Sequence, residues 1–183
     1  MNETYPKVKG FRPVKDGDTF QLAGIEFIKF PATDEGVPVV ARDLQNTMVF
    51  GDNNDLRSSK VLAWLQEEFL PKIVAAIGEE NLVQFKTDLT TWCGLKNYGQ
   101  LESRISLPTM DFYRENVAVF DKHPVSEWWW LATPDSCKPH DDPYWFLCVA
   151  PSGRISYGVY YCGNRGVRPF LILKSSIFES LES

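Results

Sequence analysis

Three consecutive tryptophans, Trp128, Trp129 and Trp130, constrain this chain more than any other feature of its sequence. Alternate side chains on a strand point to opposite faces, so Trp128 and Trp130 are expected on one face and Trp129 on the other. Each indole brings roughly 150–250 Å² of mostly apolar surface and one N–H that needs a partner. The chain between these rings and its last apolar run, Gly166-Val-Arg-Pro169-Phe-Leu-Ile-Leu173, has to fold around that demand. Trp128 and Trp130 are therefore expected to be structural, and Trp129 is the best candidate for an exposed ring.

A chain of 183 residues fits one domain, 1–183, with a core over 18–173 and peripheral tails at 1–17 and 174–183. Its 14% aromatic content, with 12 Gly and 12 Pro, favours a loop-rich α+β fold over a helix bundle. A net charge of −5 argues against a surface that grips phosphates over a large area, so direct nucleic-acid binding is not expected. The same charge suits solubility, or approach to a basic partner. Residues 1–30 hold no apolar signal-peptide core and no run reaches membrane-helix length, so the expectation is a cytoplasmic protein without membrane contact.

Cys93, Cys137, Cys148 and Cys162 form no Cys-x-x-Cys pair, and only His123 and His140 could complete a zinc site. Free thiols, with no metal and no cofactor, are the expectation, and Cys137 with His140 is the one near-pair.

Residues 18–30 read as strand, tight turn at Ala23-Gly24, and strand; 37–42 supplies a third strand after Asp34-Glu-Gly36. Residues 46–56 read as a loop whose Gly51-Asp-Asn-Asn-Asp55 run suits Asx turns better than calcium, since EF-hand spacing is lacking. Leu62, Leu65, Phe69, Ile73 and Ile77 then recur at helical intervals, with Ser59 as N-cap and Gly78 as stop. Pro71 predicts a kink or two short helices. A short helix is expected over 79–85, an irregular excursion over 86–100, a strand at 104–107, and a helix capped by Thr109. Strands at 144–149 and 154–161 around Pro151-Ser-Gly153 form a hairpin, 166–173 is one buried strand returning beside the first strands, and 175–183 is a loose helical end.

Ser59-Lys-Val-Leu-Ala-Trp-Leu65, Ile105-Ser-Leu-Pro-Thr109, Trp128-Trp-Trp-Leu131 with Pro134, Ser152-Gly153 and Gly166-Val-Arg-Pro169 occur in an order that resembles an uncharacterised bacterial and phage family. That family looks related to the C-type-lectin-like fold of retroelement variable proteins and formylglycine-generating enzymes. The resemblance implies small antiparallel sheets flanked by two or three helices, with long ligand-binding loops. It also implies a structural Arg168 whose guanidinium bonds inside the fold. The chain departs from the family at Leu131-Ala-Thr133, where an arginine is usual.

Tyrosine and tryptophan give contact area at small entropic cost, and they cluster after residue 90. The expected function is a non-catalytic protein-binding module using Trp92, Tyr98, Trp129, Asp135, His140, Asp141, Asp142, Tyr144, Tyr157, Tyr160 and Tyr161. Its sharper form is a phage or mobile-element inhibitor of a basic nucleic-acid-handling defence enzyme, such as a CRISPR nuclease. The alternative is a lectin-like display or receptor-binding module. An enzyme of the formylglycine-generating type is not expected, because Cys148 and Cys162 have no diagnostic spacing. His140 with Asp141 and Asp142 also lacks a neighbouring nucleophile.

Overall fold

The computed structural model describes residues 14–138, 140, 144–161 and 163–179. Strands β1 (Thr19–Leu22), β2 (Ile25–Lys29) and β3 (Val37–Ala41) form the expected antiparallel meander. The first turn places Ala23 at φ 54° and Gly24 at φ 74°, the twin left-handed geometry that a two-residue hairpin requires. Strand β4 (Asn46–Met48) follows inside the segment expected to be loop. It is short and polar, so no period announces it.

Ser59 Oγ accepts the Leu62 N–H at 2.9 Å and opens helix α1 (Lys60–Trp64). Helix α2 (Leu70–Ile77) ends at Gly78, at φ 81°. The second helix starts beside Pro71, as expected, but no gap separates it from the first. One widened π-turn over Leu65–Phe69 carries the run through, with the Leu70 N–H reaching back to Leu65 O. Pro71 has no N–H to give and crowds the preceding turn, and the extra residue in the π-turn accommodates both.

The helix expected over 79–85 shortens to a 3₁₀ turn at Glu79–Asn81, and β5 (Phe85–Asp88) pairs with β6 (Gln100–Ser103) where irregular chain was expected. Thr109 Oγ1 accepts the Phe112 N–H at 3.1 Å and caps α3 (Met110–Glu115), which α4 (Val117–Phe120) follows. The tryptophan strand is β7 (Trp129–Pro134); β8 (Trp145–Val149) and β9 (Ile155–Val159) form the C-terminal hairpin.

The single strand expected over 166–173 is two. β10 (Arg165–Val167) belongs to a five-stranded sheet ordered β4, β10, β7, β8, β9, and β11 (Phe170–Leu173) belongs to a four-stranded sheet ordered β1, β2, β3, β11. Pro169 cannot donate to a ladder, so the chain changes sheets there. Short α5 (Ser176–Glu179) closes the described chain, and its Ile177 is buried rather than loose.

The protein is thus α+β, with small, mainly antiparallel sheets and few helices. Strands β3, β7 and β11 are buried on both faces, which is why β3 reads as the unbroken apolar run Val-Pro-Val-Val-Ala. One cluster packs α1 and α2 against Phe27, Val39, Trp130 and Phe146; the other packs α3 and α4 against Ile28, Val40, Trp129 and Leu147.

Candidate binding surface

The tryptophan faces alternate as their spacing predicts. Arg165 lies over the rings of Trp128 and Trp130, at 5.0 and 5.3 Å, and the Trp130 indole donates to Met48 O at 3.0 Å. Trp129 is not exposed, however: it retains 2% of its surface. Its face lies under α3 and α4, where Tyr113 and Phe120 each approach the indole at 5.7 Å. The pattern of a strand reveals which side a ring takes, but not whether a helix covers that side.

Arg168 stacks on Trp129 at 5.0 Å, while its Nε and Nη2 donate to Ala41 O and Arg42 O at 3.0 and 2.8 Å. Burial pushes its guanidinium down to about 10, opposed by the Asp43 carboxylate, so it remains a cation at neutral pH.

Tyr98 is committed inward. Its hydroxyl donates to Asn54 Oδ1 at 2.5 Å and Arg57 lies over its ring. Asp135 is half-buried at the end of β7, and His140 is exposed. Asp141 and Asp142 lie outside the described residues, as does Cys162.

The other aromatic residues gather around β9, which, like β4, is one of the two edge strands of the five-stranded sheet. Trp92, 59% exposed, and Tyr157, 56% exposed, line one groove of about 520 Å³ with Met110, Arg114, Leu147 and Arg154. Trp92 is held there because its N–H donates to Pro134 O at the end of β7. The groove lies between α3, which contributes Met110 and Arg114, and the β8–β9 hairpin, which contributes Leu147 and Tyr157. Past the strand end, Tyr144 stacks on Tyr160 at 6.2 Å and Tyr161 meets Tyr160 edge-on at 5.0 Å. Trp92, Tyr144, Tyr157 and Tyr161 are the exposed aromatic residues here, and Tyr160 is half-buried beneath them.

Cys137 is buried, and the thiol that meets the His140 imidazole is that of Cys93. Cys93 Sγ lies 3.9 Å from His140 Nδ1 and 3.3 Å from Ser136 Oγ. Desolvation pushes the Cys93 thiol up, yet hydrogen bonds with Ser136, Thr91 and the Leu95 backbone together hold it below its ordinary value. With 47 positions between them, nothing in the sequence links Cys93 to His140. The Cys148 thiol, by contrast, is pushed up by burial on β8.

These elements define an α+β protein whose uncovered aromatic side chains sit at one sheet edge. The model of a family described as a domain of unknown function, DUF6273, matches residues 106–175, from the segment before α3 through β11. No curated protein and no solved structure matches the chain.

Proposed function

We propose that this chain is a non-catalytic protein-binding module that meets its partner through the β9 edge and the aromatic side chains around it. One observation carries the reading: among the described residues, four of the five large apolar side chains left in solvent are aromatic and lie at this edge. Rings of that kind are the usual energetic centres of protein interfaces, and an unpaired strand edge is a template for a partner's backbone. The C-type-lectin-like form of the fold belongs to the same proposal. It is supported by β11 returning to pair with β3, directly after the Gly166-Val-Arg-Pro169 segment.

The sharper form of the reading is an inhibitor of phage or mobile-element origin acting on a basic nucleic-acid-handling enzyme, and the net charge of −5 supports it. The test is quantitative capture from bacterial lysate, comparing the wild type with W92A/Y144A/Y157A/Y161A. All four side chains are exposed, so the variant should fold. Its retention of a specific partner should fall by roughly tenfold or more; an unchanged capture profile overturns the aromatic-edge assignment. Cys93→Ser and His140→Ala should leave capture untouched, and loss in both would favour thiol chemistry instead.

A further inference from the structure

A second groove, of about 600 Å³, runs between the β2–β3 turn, β5, β11 and the start of α3. Its floor is apolar. Phe85 and Phe112 each meet Phe170 edge-on, at 5.3 and 4.9 Å. Its rim is acidic: Asp34, Glu35, Asp88 and Asp111 are all exposed, and Lys86 is the one cation among the lining residues. Four carboxylates against one ammonium give a local charge of −3, in a chain whose formal net charge is −5. Asp111 has Arg114 at 3.6 Å, both side chains lying in solvent. Asp34, Glu35 and Asp88 have no cationic partner among the described residues.

An acidic rim alone would be a solvated surface. The independent observation is Thr87, which lines the same groove on β5 and is 4% exposed. Its Oγ1 is buried and has no hydrogen-bond partner among the described residues. A buried hydroxyl left this way carries an uncompensated desolvation cost, which a donor arriving from a ligand would remove. Apolar floor, carboxylate rim and orphan acceptor together describe a cation carried on a long apolar stem.

We propose that this groove binds a basic segment of a protein partner. An arginine or lysine stem lies across Phe85, Phe112 and Phe170, where the ring faces also favour a cation. Its head reaches the carboxylates at the rim, an arginine meeting them in two-pronged fashion, and one N–H donates to Thr87 Oγ1. The site shares no residue with the aromatic edge and goes beyond that reading: it gives the partner a charge and the acidic surface a location.

The experiment is fluorescence anisotropy with a short labelled peptide alternating arginine and leucine, and a matching peptide alternating glutamate and leucine. The arginine peptide should bind, more weakly as salt rises, and the glutamate peptide should not. D34N/E35Q/D88N changes only exposed groups and should weaken binding by roughly tenfold or more. Thr87→Val keeps the side-chain shape without the acceptor and should weaken it by about fivefold, with no loss of thermal stability. Equal binding of the two peptides, an unchanged affinity in either variant, or spermine binding as tightly as the arginine peptide overturns the proposal. W92A/Y144A/Y157A/Y161A separates the two sites. Unchanged binding of the arginine peptide by that variant supports the groove whatever becomes of the aromatic edge, and lost binding places the peptide at the edge and overturns the groove.

Discussion

Asn54 is fully buried, and every polar atom of its side chain is used. Nδ2 donates to Ser136 O at 2.7 Å and to Trp145 O at 3.0 Å, and Oδ1 accepts from the Tyr98 hydroxyl. One side chain thereby joins the 51–55 loop to the chain on both sides of the loop between β7 and β8. Asn54→Ala removes three hydrogen bonds and leaves the Ser136 carbonyl and the Tyr98 phenol without theirs, while Trp145 O keeps the Asp135 N–H at 3.2 Å, and should lower stability by about 2–4 kcal/mol. A fall in urea midpoint that, multiplied by an unchanged slope, amounts to less than about 1 kcal/mol would remove Asn54 from this role. Tyr98 carries a pH dependence. Burial, with the charges of Cys137 and Asp55 adding to it against Arg57, pushes its phenol from 10.0 up to about 12. The folded protein holds that proton more tightly than the unfolded chain does, so the contribution is whole below pH 10 and is lost as pH rises toward 12. Tyr98→Phe should unfold more easily at pH 8 and show a shallower further loss between pH 10 and 12 than the wild type. Parallel curves would contradict the inward phenol. The sequence marks residues 51–55 as Asx turns, and Asn53 does make one, accepting the Asp55 N–H at 2.8 Å. Which of two adjacent asparagines turns inward depends on carbonyls more than eighty positions away, and no local pattern reports that.

At the scale of elements, signals confined to a few residues are legible and pairings between distant segments are not. Ser59, Thr109 and Gly78 mark helix ends because a cap is a contact within one turn. β4 and β5 escape notice because Asn46-Thr-Met48 and Phe85-Lys-Thr-Asp88 are short, and β4 becomes a strand only when β10 arrives beside it. The aromatic edge is legible as composition. Its shape is not, since it depends on α3 coming to lie beside the β8–β9 hairpin. Gly36 shows what a distant partner demands of a turn. It sits at φ +148°, and a Cβ there would stand 2.5 Å from Leu173 O and 3.0 Å from Ile172 Cγ2. Backbone cannot retreat as the end of a side chain can, so Gly36→Ala should cost about 2–4 kcal/mol through strain and a displaced β11. Gly24→Ala is the matched comparison, at φ +74° with open space around it, and should cost only about 1–2 kcal/mol. Thermal midpoints that fall equally for the two variants would show that conformation, rather than contact with β11, sets the cost at Gly36.

The chain passes between the four- and five-stranded sheets first over residues 42–45, from β3 to β4, and again at Arg168-Pro169, from β10 to β11. Arg168 spans that crossing. Its guanidinium lies against the adjoining rings of Trp129, from the five-stranded sheet, and Phe120, from α4, and donates to the carbonyls that end β3 in the four-stranded sheet. A planar cation suits this place because its flat faces stack while its edge donates. Burying it is costly, as its lowered proton affinity shows, so the hydrogen bonds and ring contacts must offset the desolvation. Arg168→Met keeps the apolar volume but leaves Ala41 O and Arg42 O unpaired, and should lower stability by about 2–4 kcal/mol. Arg168→Lys restores a charge without the flat fork. It should recover little of that loss, because a compact ammonium is more strongly hydrated and cannot stack on Trp129 while reaching both carbonyls. Urea unfolding followed in parallel by tryptophan fluorescence and far-UV circular dichroism reads both effects. Coincident transitions in the wild type that separate in Arg168→Met would show the two sheets coming apart in turn, whereas a lysine variant as stable as the wild type would mean that charge alone, and not the guanidinium plane, joins them.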